Sequence, residues 1–257
     1  MKKIHITLLV FFVVGLFPVF AWAQVGENYV VEIEGRYWNP KLDASVKIVK
    51  NDVGTHFSAV DDLGFDEKKD SGEARIQIKF AKKHKFNLSF LPLKWDADKV
   101  LTSTIIFSGT TYTAGTRVQS KLDLNVFKAG YEYDFLEGSW GFLGGTIDVM
   151  AADMNVELKT PALAINEKES KTVPIPLIGL TARIYPVKWV NFTAKVSGLP
   201  MGSYGHVFDA EVSLNINPIK YVGISGGYRY FETKFKYDNN SLDFKLDGPF
   251  LALKIRF

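Results

Sequence analysis

Four histidines and a scatter of carboxylates are the residues on which hydrolytic chemistry would have to rest. His5 lies in an apolar N-terminal run and His84 among the lysines of K-K-H-K (82–85), which leaves His56 and His206. A histidine held by a carboxylate could serve as the general base that activates a water for peptide cleavage. Asp61, Asp62, Asp96 and Asp98 supply acids, yet no local pattern ties them to His56 or His206. Cleaving an ester needs serine, histidine and acid in line, the acid orienting the imidazole that activates the hydroxyl. Ser203 is close to His206 in the chain, but if 206–216 is a strand, Asp209 and Glu211 point to the opposite face. The acidic run D-D-L-G-F-D-E-K-K-D (61–70) lacks the ligand spacing of a calcium loop and is nearly neutralised by its own lysines. Zero cysteines exclude disulfides and thiol chemistry. The expectation is a non-enzyme with no catalytic residue, no metal site and no cofactor.

The chain that would have to position such groups has a bipartite plan. Residues 1–23 read as a secretory signal peptide: Lys2 and Lys3, an apolar run over 4–20, then the small-residue site Ala21-Trp22-Ala23. No cysteine follows to take a lipid anchor. The mature domain is then 24–257, and losing the two lysines lowers the formal charge from +3 to +1, which argues against nucleic acid as a partner. The mature part holds no second apolar run of about 18 residues, so no spanning helix is expected.

About ten segments alternate apolar and polar residues over roughly the 9–11 positions that a tilted membrane strand needs. They fall at 28–38, 73–81, 86–93, 122–135, 140–152, 176–185, 190–197, 208–216, 221–232 and 248–257. In the fourth, Leu122, Leu124 and Val126 have the opposite parity to Phe127, Ala129, Tyr131 and Tyr133, which predicts a bulge near 126–127. Pro92 has no N–H to donate and is expected at the top of the third strand. Connections alternate between short ones (82–85, 136–139, 186–188, 217–220) and long ones (39–72, 94–120, 153–175, 199–206, 233–247). The stretch 102–116, rich in Thr, Ser and Gly, is expected to be a hairpin standing clear of the membrane. A soluble two-sheet protein would alternate as well, but the signal peptide, the turn–loop asymmetry and the last strand together oppose it.

That last strand, G-P-F-L-A-L-K-I-R-F, sets Leu251, Leu253, Ile255 and Phe257 against Phe250, Ala252, Lys254 and Arg256. An apolar row backed by two cations suits a wall with hydrocarbon outside and a polar lumen inside. With its terminal Phe257, the chain resembles the small bacterial outer-membrane β-barrels of the OmpA transmembrane, OmpX and OmpW kind. The resemblance implies an all-β, antiparallel up-and-down transmembrane barrel of about ten strands, with eight or twelve as alternatives. It implies outer-membrane lipid and lipopolysaccharide as surroundings, both termini in the periplasm, and Phe257 as the signal read by the barrel-assembly machinery. Omptin-type proteases and outer-membrane lipid A deacylases share such barrels and are the enzymatic alternatives; no omptin motif surrounds the acids and histidines above.

Sorting the inward positions by height splits the lumen in two. Glu32, Glu34, Glu132, Asp148, Asp209 and Glu211 lie low with Arg36, Arg75, Lys79, Lys128, Arg183, Lys195, Arg229, Lys254 and Arg256. Such charges must pair or be hydrated, which predicts a filled lower lumen, with a small ion pore as the alternative. Near the outer rim the inward residues are Trp38, Leu91, Leu93, Met150, Leu177, Val207, Phe231 and Phe250. They either plug the mouth of a structural or interaction barrel or line a pocket for a small apolar ligand. The second arrangement resembles that of OmpW, in which an apolar ligand enters from outside and leaves through the wall.

Overall fold

The computed structural model describes residues 25, 27–50, 53–160, 165–237 and 240–257; the expected signal peptide, 1–23, lies outside them. The strands are β1 (Val31–Trp38), β2 (Lys41–Lys50), β3 (Val53–Ser58), β4 (Ser71–Ala81), β5 (His84–Val100), β6 (Ile105–Phe107) and β7 (Thr110–Tyr112). After them come β8 (Arg117–Gly138), β9 (Gly141–Thr160), β10 (Ile165–Val187), β11 (Val190–Pro200), β12 (Gly205–Ile219), β13 (Val222–Tyr237) and β14 (Asn240–Arg256). Ten of them close an antiparallel barrel, β1-β4-β5-β8-β9-β10-β11-β12-β13-β14, sealed by β1 against β14. The seam runs from Glu32↔Arg256 to Trp38↔Phe250 and continues into Phe257, whose N–H donates to Val31 O at 2.9 Å. Closure matters because every backbone group facing hydrocarbon needs a partner within the wall.

Alternation explains why these segments are strands. Outward positions carry Ile147, Ile178, Phe192, Val212, Ile224 and Leu251, all solvent-accessible in the isolated chain and forming one apolar belt. Aromatic residues bound it: Trp140, Trp189 and Tyr221 at one end, Tyr37 and Tyr228 towards the other. At the first end four barrel hairpins turn through two residues each, 82–83, 139–140, 188–189 and 220–221. Each is flanked by a register shift, and Pro186 and Pro218 sit inside two of them, where a missing N–H breaks no ladder bond.

The opposite end differs from the expected set of long loops. Most of those residues continue the strands: β5 runs to Val100, β9 to Thr160 and β10 begins at Ile165. After Asn39-Pro40 the direction of β1 is resumed by β2, which pairs with the upper half of β14 and folds back as β3. Pro92 is therefore mid-strand, opposite Asn125. No bulge interrupts 126–127 either; both ladders of β8 pass through it in register. The parity break in the sequence instead marks the height at which the lumen changes from charged to apolar.

Two irregularities shape this end. The connection 59–70 fills the space between β3 and the upper part of β5, with Leu63 and Phe65 buried. Across the barrel, β11 stops at Pro200, so among the described residues β10 above Ile178 pairs with β9 alone. Pro174 and Pro176 keep register with β9, so their ring nitrogens face the open edge, where they remove donors a stray strand would seek.

Candidate functional site

The lumen is the concave feature these strands enclose. Its turn end holds an ion-pair network built by inward alternation. Arg36 donates to Glu211 Oε2 at 2.7 Å and to Glu34 Oε1 at 2.8 Å, and Arg75 reaches the same Glu211 oxygen at 3.0 Å. Arg229 grips Asp209 through two bonds of 2.9 Å and reaches Glu73 at 3.3 Å. Lys254 lies 3.3 Å from Glu34 and donates to Asn215 at 2.8 Å. Lys128 lies 3.3 Å from Asp148. Taking so many charges out of water costs several kcal/mol per ion unless each is met, and sharing carboxylates among two or three cations meets it.

Beneath the network the segment before β1 tucks into the mouth. Glu27 binds Arg183 and the Tyr185 hydroxyl, and its backbone carbonyl accepts from Lys79. Burial opposes the Glu27 charge, but Arg183, Lys85 and Tyr185 outweigh it and hold the carboxyl at about 2, below its ordinary 4.5.

The expected inward charges are all in this region, and four more join them. Glu73 has the parity of Arg75, and Asp134 that of Glu132, so alternation alone places both inward. Lys85 belongs to the first pair of β5 residues rather than to a turn, and its ammonium sits 2.8 Å from Glu132 and 2.7 Å from Asp134 at 1 % side-chain exposure. Glu27, outside any strand, carried no parity at all.

Above the network the chemistry changes within one layer. The Arg36 guanidinium lies 3.7 Å from the Phe250 ring centre and Arg229 lies 5.1 Å from that of Trp38, so the cations of the floor also support the aromatic roof. Trp38, Leu91, Leu93 and Phe250 join Leu42, Trp95, Leu122, Leu158 and Leu246 in one buried cluster. Met150, Leu177 and Val207 form a second with Ile175, and half-buried Phe231 packs against both. All eight expected residues thus meet at the loop end of the lumen. Trp95 shares the parity of Leu91 and Leu93 and joins them because β5 continues through 94–100, where a loop is expected from the sequence.

The 102–116 stretch is a hairpin, as its composition predicts, but it does not stand free. Ser108 and Gly109 turn it at positive φ. Ile105 is 0 % and Tyr112 2 % exposed, and both belong to the larger apolar cluster. The Tyr112 hydroxyl bonds Leu158 O, while Ser108 and Thr110 bond Glu169 and Glu167 of β10. The hairpin is a lid laid on the roof.

The candidate hydrolytic groups do not converge. Asp98 pairs with Arg117 at 2.7 Å, and Asp62 accepts from the Ser58 amide and Ser103. His206 does gain an acid that its own strand could not reveal: Glu232 on β13, 3.2 Å from Nε2. Glu232 is also held by Lys234 at 2.9 Å, and no hydrogen bond joins Ser203 to His206 among the described residues. No group of acids and histidines among the described residues is arranged for a metal.

No protein-family model matches the chain, and no curated protein matches it in sequence. Solved structures do match in shape. The outer-membrane protease OmpT of Escherichia coli superposes with a TM-score of 0.60 over 92 % of this chain and 99 % of its own, at 6 % identity. The translocator domain of the autotransporter NalP from Neisseria meningitidis gives 0.48 over 89 % of each chain at 11 % identity. At such identities the likeness shows the fold, that of bacterial outer-membrane β-barrels, and no activity.

Proposed function

We propose that the chain is a sealed barrel of the bacterial outer membrane that acts as a non-enzymatic surface protein. In this reading both termini and the two-residue turns face the periplasm, and the strand extensions with the lid hairpin face outward. What carries the proposal is the filling of the lumen at two levels by unlike chemistry, ion pairs below and apolar side chains above, under a lid whose Ile105 is fully buried. The charged level keeps a cavity of about 110 Å³ lined by Glu34, Arg75, Glu132 and Lys195, but the apolar level caps it and no aligned catalytic groups occur among the described residues, so the outer face and loops are where a partner would act. Liposomes carrying the folded mature protein should not swell in small sugars beyond protein-free controls. Rapid swelling would defeat the proposal.

Phe257 and the outward row Leu251, Leu253 and Ile255 are then the handle for the barrel-assembly machinery. Deleting Phe257 should lower the fraction of heat-modifiable, folded barrel in membranes.

One observation favours a second reading, uptake of a small apolar molecule. The notch above β11 leaves Leu199, Met201 and Phe235 only partly buried beside Met150, Leu177 and Val207. Phe231→Asp and Phe250→Asp test it: loss of apolar-probe binding by correctly folded variants supports uptake, whereas unchanged binding removes these residues as its site.

A further inference from the structure

The cavity in the charged level of the lumen, about 110 Å³, is unevenly paired. A water needs about 10–15 Å³ of such space, so there is room for several solvent-sized species. Each of the seven carboxylates that line it lies within 4.0 Å of a cation. Five of the six lining cations, Arg75, Lys128, Arg183, Arg229 and Lys254, are met by an acid in turn. The sixth is Lys195, which has no carboxylate within 4.0 Å among the described residues.

Strand register explains the exception. Lys195 on β11 stands between Thr181 of β10 and Glu211 of β12, but Glu211 turns across the bore to Arg36 and Arg75. Glu132, which lines the same cavity, is held by Lys85 at 2.8 Å. All carboxylates of the ten barrel strands are described, so the wall holds no further acid for Lys195. Exposure follows the same division. Lys195 is only partly buried, and the side chains of Lys128 and Arg75 keep 23 % and 20 % of their surface. The lining carboxylates keep 2–9 %. These are inward residues, so the surface left open to the cavity is mainly that of cations.

An unmatched cation inside a closed bore is costly, and a counter-ion removes the cost. The donors select which one. Every lining guanidinium is engaged, Arg75 by Glu73 and Glu211, Arg183 by Glu27 and Arg229 by Asp209. No open fork remains for the paired oxygens of a carboxylate or phosphate. What the cavity offers is a point charge with hydroxyls, Lys195 with Ser89, Thr146 and Ser197. Ser197 accepts from Lys128 at 3.3 Å, which leaves its own hydrogen to donate. We propose that this cavity binds a chloride ion, with Lys195 as its charge partner and the hydroxyls as further donors. The site belongs to the floor of the lumen and does not depend on what the outer face binds.

The test refolds the mature protein into detergent with chloride replaced stepwise by gluconate at constant ionic strength. Above the dissociation constant, the folding equilibrium constant should rise about tenfold for each tenfold rise in chloride. Lys195→Met should lose that dependence, whereas Lys168→Met, an exposed lysine of β10, should keep it. No dependence in the parent would overturn the site, as would an equal dependence in Lys195→Met. Phosphate that stabilises as much as chloride would overturn the choice of a halide. Crystals of the unaltered protein grown in bromide give an answer that needs no variant to fold. An anomalous peak in the lumen at the Lys195 ammonium supports the site. Peaks confined to the outer surface, an adventitious ion only, would overturn it.

Discussion

The two halves of the lumen occlude the same bore by opposite means. The lower half spends inward positions on charges and makes them harmless by pairing, as in Arg36 between Glu34 and Glu211. The upper half places Trp38, Leu93 and Leu177 there and needs no partners, only fit. One tolerates repacking and the other does not tolerate the loss of a single partner. A charged interior is specific and brittle; an apolar one is forgiving in chemistry but sensitive to volume.

The largest expected effect therefore lies in the network. Glu211→Leu removes the carboxylate that Arg36 and Arg75 share and leaves them only Glu34 and Glu73, and removing one member of a buried pair costs up to about 3–5 kcal/mol. Denaturant titration of the folded band on cold gels should show a large fall in midpoint. The double change Arg36→Met/Glu211→Met should recover part of it, because the stranded charge goes too. If the single variant unfolds like the parent, the network does not hold the barrel.

Leu177→Ala comes next, a cavity at a residue of 0 % exposure, at about 2–5 kcal/mol. Its midpoint should drop without any gain in permeability, since the lid and the network remain.

Glu27→Gln should be milder and should depend on pH. The carboxyl is depressed from 4.5 to about 2, so its contribution is present above pH 4.5 and fades as pH falls towards 2. Wild type and variant should thus differ at pH 7 and converge near pH 2; a constant difference would mean that Glu27 acts by packing.

Smallest of all is Lys41→Gln. Glu67 holds Lys41 above its ordinary value through a hydrogen bond and charge in an exposed site, and no measurable change in midpoint is expected.

These contrasts also show what a single sequence could disclose. Period-two alternation gave the strands, the belt and the inward charges, since a register slip of one residue would put Lys254 and Arg256 into lipid. Height along each strand gave the charged-to-apolar split. Extent was harder to read. Above the membrane β5, β8 and β9 still alternate, with Trp95 and Ala97, Leu122 and Leu124, and Met154, Val156 and Leu158 inward, but their outer faces turn from apolar to Lys, Asp, Asn and Glu, so 94–100 and 153–160 lack the lipid-facing row and resemble loops. Proline misled at Pro92, because a proline whose nitrogen faces an unpaired side fits mid-strand. Partners across strands were hidden: nothing in 205–219 announces Glu232 beside His206, and nothing in 100–117 announces that Tyr112 folds down onto Leu158.

The central claim is that the bore is closed. Single-channel recording of the folded mature protein in planar bilayers tests it most directly. A closed bore leaves the membrane silent, and Leu177→Ala should be silent too. Stable, large conductance steps from the unaltered protein would contradict it.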